Sequence, residues 1–177
     1  MYLGEAGAGF APHAFGPVAV GRVGGAQVAL HEGAQQCGGL RLGRFFGVDF
    51  AQHMIDYANQ TAKDEGVSDK CNFVLGDVLT YDFGGKTFDY AYALGVFDYV
   101  QDAQALLSRM SNLSRHSFMA SWPEDGLRMA LRRYRYTCPL FHYTEQKIID
   151  LHKNAGISRD KLEIIRIGGG WATVAHK

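Results

Sequence analysis

The chain has no excess charge of either sign, because eighteen Lys and Arg among its 177 residues are matched by eighteen Asp and Glu. No global field therefore draws it onto nucleic acid or an anionic membrane, and a small or locally recognised partner is expected. It has no apolar run as long as a membrane span, and its N-terminus lacks both the basic and the continuous apolar regions of a secretion signal. The default compartment is the cytoplasm. Cysteine is scarce: Cys37, Cys71 and Cys138 are odd in number and widely scattered, with neither a CxxC pair nor a metal-ligand spacing. That suits structural thiols in a reducing compartment. There is no internal repeat and no nucleophilic triad. What is present is apolar substance, 47% of the residues, enough to bury one sizeable core in one domain.

Composition changes near residue 44. Twelve of the first 48 residues are Gly, and residues 1–43 read as an irregular glycine-rich segment, a remnant of a first strand and helix, ahead of a domain over 44–177. From Arg44 the sequence alternates β-like runs with helix-like stretches, the order of an α/β fold. "RFFGVDF" reads as a buried strand and "AQHMIDYANQTAKDEG" as a helix with Met54, Ala58 and Ala62 on one face, closed by Gly66. "CNFVLGDV" and "TFDYAYALGVFDYV" give two more strands. Asp102 then caps a helix that carries Leu106, Leu107, Met110 and Leu113. "RHSFMASWP" is a fourth strand, followed by an Arg-rich insertion and a helix opened by Thr144 and ended by Gly156. "KLEIIRI" and "WATVAHK", joined through Gly168-Gly169-Gly170, form an antiparallel hairpin. The expected architecture is a mostly parallel sheet with an antiparallel edge.

In open α/β sheets ligands lie beyond the carboxyl ends of the strands. Three such positions carry chemistry. Asp49 suits two vicinal ribose hydroxyls, or equally an exposed carboxylate at the start of the next helix. Asp77 suits an exocyclic amino group such as that of adenine, or an ordinary Asp turn. Leu94-Gly95 marks a place where a ligand passes close to backbone, or a turn glycine.

Taken together, "GVDFAQHMIDYAN", "NFVLGDV" and "FDYAYALGVFDYV" resemble the ordered motifs of class I S-adenosylmethionine-dependent methyltransferases, from about Arg44 to the C-terminus. The resemblance implies a three-layer Rossmann-like fold whose last strand is antiparallel, with S-adenosylmethionine as cofactor. It implies that Asp49 binds the ribose, that Phe50 and Met54 line the adenine side, and that Asp77 and Val78 contact the adenine. Leu94 and Gly95 then lie beside the methionine portion.

Upstream the pattern departs. The family places an acidic glycine-rich turn after its first strand, about twenty residues before the ribose-binding acid. Here "PVAVGRV" is the candidate first strand, Gly24-Gly25 a shortened loop and "AQVALHEGAQQ" its helix, with no acid beside the glycines. The string "GEAGAGF" has the right composition but lies too far from Asp49. A damaged or mis-read gene start, making the first 43 residues an artefact, is the other reading.

Methyl transfer needs mainly alignment and desolvation from the protein. A general base helps with a hydroxyl acceptor, and His142 beside Tyr143 is the candidate pair. His116, at the start of a strand, reads as structural. "LRMALRRYRY" places Arg128, Arg132 and Arg135 on one helical stripe with Arg133 beside it, which suits an acidic small molecule or a solvated basic face. "SWP" and the following Arg-rich stretch also resemble porphyrin O-methyltransferases. Three readings stand: a methyltransferase acting on a small molecule, a methyltransferase-like domain without catalysis or in truncated form, and an NAD-dependent Rossmann oxidoreductase.

Overall fold

The computed structural model describes residues 27–32, 44–135 and 138–177. Among the described residues seven strands form one sheet: β1 (Gln27–Glu32), β2 (Arg44–Asp49), β3 (Cys71–Leu75), β4 (Phe88–Leu94), β5 (Ser114–Pro123), β6 (Leu162–Ile167) and β7 (Gly170–His176). The α-helices of the described residues are α1 (Gln52–Asp64), α2 (Ala103–Leu113), α3 (Leu127–Arg135) and α4 (Glu145–Asn154). The strand order is β3-β2-β1-β4-β5-β7-β6.

Strands β2 and β3 pair in parallel, as do β4 and β5, while β7 runs antiparallel to both β5 and β6. The closing hairpin is the one expected, and five of the seven strands point the same way. Helix α1 connects β2 to β3 and α2 connects β4 to β5, crossovers that move outward in opposite directions. Their shared right-handedness places the two helices on opposite faces of the sheet, which gives three layers. Helix α4 packs beside α2.

The central strand differs from expectation in two ways. Residues read as a helix, within "AQVALHEGAQQ", form β1, and that strand runs antiparallel to both β2 and β4. Alternation in "QVALHE" is short enough to serve either period, and the vacant slot between two parallel ladders decides in favour of a strand. The segment "PVAVGRV", Gly24, Gly25 and the string from Gly4 to Phe10 lie outside the described residues.

Local signals place the helices. The Asp102 carboxylate accepts the Ala105 N–H at 2.9 Å and the Thr144 hydroxyl accepts the Lys147 N–H at 3.2 Å, so both predicted caps form. Helix α1 buries Met54, Ile55, Ala58 and Ala62. The main core lies on the other face, where Phe118 and Trp122 of β5 meet Leu106, Leu107 and Met110 of α2 and Ile148 and Leu151 of α4. The indole of Trp122 lies 3.9 Å from the Phe97 ring, centroid to centroid, and donates to Thr173 Oγ1 at 2.9 Å. Among the described residues no helix is long and apolar enough to cross a membrane.

Candidate functional site

The carboxyl ends of β2, β3 and β4 share one rim. Asp49 stands opposite Leu75, Val48 opposite Val28, and Leu94 opposite Gln27. Asp49 and Leu94 therefore flank the start of β1, two strand spacings or roughly 10 Å apart.

Asp49 is the chemically unusual member of this rim. Its side chain belongs to a residue only 3% exposed. Oδ1 accepts the Ala51 N–H at 2.8 Å, whereas Oδ2 is buried with no hydrogen-bond partner among the described residues. Burial pushes its carboxyl above the ordinary carboxylate range, against the opposing pull of the Ala51 N–H and of His53. A lone buried acceptor of this kind is costly to the fold, and such exceptions call for a reason. Around it the rim exposes large apolar side chains that the core does not use: Phe50, Leu75 and Leu94.

Asp77 lies at the next strand end, exposed, with Oδ1 accepting the Leu79 N–H at 2.9 Å and its carbonyl accepting the Thr80 and Tyr81 N–H groups. It is thus both a turn-former and a rim carboxylate. Val78 packs partly against the core. The loop is pinned from behind by Arg109 of α2, which donates to the carbonyls of Val78 at 3.3 Å and Tyr81 at 2.6 Å. Gly95 has φ +71, its N–H donates to Ser121 Oγ at 2.8 Å, and a Cβ there would meet nothing within 4 Å.

Beside Gly95 opens a cleft of about 260 Å³, walled by Asp98, Ser121, Trp122, Met129 and Arg132. Asp98 is buried and ion-paired with Arg132, whose other Nη donates to the Tyr99 hydroxyl at 2.9 Å. Burial opposes the Arg132 charge, but its bonds to Asp98 and Tyr99 outweigh that and raise its pKa. The insertion is thereby tied to the turn after β4. Sequence reasoning missed Asp98 and Arg109, since nothing local distinguishes them from other charged residues beside apolar ones.

Several expected roles change. Met54, in the first turn of α1, belongs to that helix's inward stripe and is buried rather than open to the rim. Tyr143 is buried and gives its hydroxyl proton to the Phe97 carbonyl at 3.2 Å, and burial, with Asp98 adding to it, pushes its pKa to about 12. It anchors the insertion rather than moving protons. His142 is exposed, and its Nδ1 lies 2.7 Å from an Arg133 Nη. A guanidinium only donates, so Nδ1 accepts and the ring proton sits on Nε2. Neither residue is among those lining the cleft. The arginine stripe does not act as a unit, since Arg132 turns to Asp98 while Arg135 is exposed and the Arg128 side chain lies outside the description. His116 is exposed beside Asp89 at the opposite rim.

A methyltransferase domain family matches residues 26–117, just over half of the chain. The chain belongs to that family. It is the class I S-adenosylmethionine-dependent group that the motif order resembles, and the match begins at the threshold of β1. No curated protein matches the chain at the level of sequence. Among solved structures, magnesium protoporphyrin IX methyltransferase from Synechocystis PCC 6803 with bound S-adenosylhomocysteine is similar, at 15% identity and a TM-score of 0.57. The similarity covers 74% of this chain and 61% of that one. An O-methyltransferase family protein from Burkholderia thailandensis is 13% identical over 71% of this chain and 41% of its own, with a TM-score of 0.59. A SAM-dependent methyltransferase from Methanosarcina mazei is 16% identical over 75% of this chain and 81% of its own, with a TM-score of 0.57. At these identities the likeness is one of fold, and the chain spans about three fifths of the length of the Synechocystis enzyme.

The methyltransferase chain fits its family's cofactor unevenly. Asp49, Phe50, Asp77 and Gly95 share the strand-end rim and offer it a buried acceptor, an exposed apolar ring, a carboxylate and a glycine with open space beside it. The acidic glycine turn for the methionine end has no counterpart among the described residues. Because β1 is reversed, its carboxyl end, Glu32, pairs with Arg44 at the opposite rim.

Proposed function

We propose that this methyltransferase binds S-adenosylmethionine along the β3-β2-β1-β4 rim and methylates a small molecule seated in the cleft beside Gly95. The observation that carries the reading is the buried Oδ2 of Asp49, without a hydrogen-bond partner among the described residues, an acceptor awaiting donors at the position where a ribose presents two. Phe50 and Leu75 would cover the adenine, Asp77 would accept its amino group, and Leu94 and Gly95 would border the methionine part. When bound, the cofactor supplies a methyl group already activated on a sulfonium sulfur for in-line displacement. The chain's own contribution is then alignment and exclusion of water. Trp122 and Met129 give the cleft an apolar floor, and the Arg132–Asp98 pair fixes its far wall. Ser121 spends its oxygen on the Gly95 N–H, holding the turn that separates cofactor rim from acceptor cleft.

One observation favours a second reading, a methyltransferase-like domain without catalysis: the reversed β1 removes the usual place for the acidic glycine turn. Losing one charge-assisted hydrogen bond costs about 1.5–3 kcal/mol, on the order of ten- to a hundredfold in affinity, so weakened binding is expected. The NAD reading is disfavoured by the strand order, in which an antiparallel β7 intrudes between β5 and β6 where the dinucleotide fold continues in parallel. Thermal shift separates the three. S-adenosylhomocysteine raises the melting temperature and NAD does not. A shift with NAD alone overturns the proposal, and a folded chain indifferent to both supports the non-catalytic reading.

A further inference from the structure

The chain is neutral overall, but α3 is not. Its nine residues, "LRMALRRYR", hold Arg128, Arg132, Arg133 and Arg135 and no acid, so four of the eighteen basic residues crowd into two and a half turns. Two are engaged at the helix's inner side, Arg132 with Asp98 and Arg133 with Asp125 at 3.2 Å. Its outer side carries Leu127, Leu131 and Tyr134, which are 80%, 58% and 91% exposed and fall at i, i+4 and i+7, one stripe of a helix. Met129, on the other side, is buried. Leu127 also lines the cleft.

We propose that this outer face of α3 docks on an anionic lipid bilayer, with Leu127, Leu131 and Tyr134 seated at the headgroup boundary and Arg135 meeting lipid phosphates. Leucine and an amphipathic aromatic beside arginines, on a helix without acids, is the pattern of an interfacial helix. Charge complementarity selects an anionic surface, because a basic segment at the membrane surface is attracted within a Debye length whatever the net charge of the rest. Area argues against a protein partner: three side chains fall far short of the 20–30 residues a side of a stable protein interface. Docking in this pose turns the Leu127 end of the cleft toward the bilayer and opens it to an acceptor dissolved there. This extends the proposed function but does not depend on cofactor binding.

The test is co-sedimentation of the full chain with vesicles of phosphatidylglycerol and phosphatidylcholine in equal parts, against pure phosphatidylcholine, at low and high salt. Binding is expected to the mixed vesicles alone and to weaken in salt. The double variant Leu131→Ser, Tyr134→Ser should lose at least about tenfold in partitioning. Arg135→Gln should lose about fivefold, with less dependence on salt, and Lys153→Gln on α4 should bind as the parent does. All of these side chains are exposed, so far-UV circular dichroism and melting temperature should stay unchanged. A folded chain that stays in the supernatant, or a serine variant that sediments like the parent, overturns the proposal. So does a serine variant whose only change, in sedimentation velocity, is loss of self-association.

Discussion

Protonating His152 should unfold the chain's second layer from within. The imidazole lies on α4, fully buried, with its plane 3° from that of Phe118 and at a steep angle to Trp122. Its Nδ1 is 2.8 Å from the Ile148 carbonyl, which can only accept, so the ring proton is on Nδ1. Nε2 is buried without a partner among the described residues. Adding a proton there puts an uncompensated cation among aromatic rings. Burial accordingly lowers its pKa from 6.5 to about 4, opposed only by the bond to Ile148. Between those two values the unfolded chain binds the proton and the folded chain does not, so stability rises with pH across that window. It is whole above about 6.5 and declines as the pH falls toward 4. At about 1.4 kcal/mol for each pH unit, the loss is about 3 kcal/mol, a large share of the 5–15 kcal/mol that holds a typical domain. Urea unfolding followed by tryptophan fluorescence, run from pH 7.5 to pH 4.5, measures it. His152→Phe preserves the stack and removes the titration, so its stability should match the parent's within about 1 kcal/mol at pH 7 and exceed it at pH 4.5. Parallel pH profiles for parent and variant would refute the reasoning.

Other perturbations test other parts of the frame. Arg132→Met leaves Asp98 buried without its counter-charge and should cost about 3 kcal/mol by denaturant unfolding, whereas adding Asp98→Asn should recover part of the loss, a coupling that a double-mutant cycle detects. Gly170→Ala drives a Cβ into the Trp122 carbonyl of β5, backbone that cannot swing aside, and should lower stability by about 1–3 kcal/mol in the same assay. Asp49→Asn removes a buried charge whose second oxygen has no partner among the described residues, so the ligand-free melting temperature at neutral pH should rise, not fall. That is the behaviour of a site kept at the expense of stability.

What the sequence made legible was local. Asp102 and Thr144 announce helix starts, Gly66 and Gly156 announce helix ends with φ of +67 and +83, and the glycines between "KLEIIRI" and "WATVAHK" announce a hairpin, because each signal is complete within a few residues. The rim carboxylates were legible for a similar reason, since a strand end is visible in the run that precedes it. The direction of β1 was not, because a six-residue strand takes its orientation from partners far along the chain. Nor was the fate of Met54, which depends on the rotation of α1 against the sheet. Tyr143 and Arg132 show the same limit from the polar side: an aromatic hydroxyl and a guanidinium look available for chemistry until Phe97 and Asp98 are found beside them.

The central claim is that Asp49 is an acceptor held ready for a ribose. Isothermal titration with S-adenosylhomocysteine, on the parent chain and on Asp49→Asn, tests it most directly. The account predicts saturable binding at one site by the parent and a ten- to hundredfold loss in the variant, about 1.5–3 kcal/mol. Equal affinity in the two proteins, or no heat from a folded parent, would contradict it.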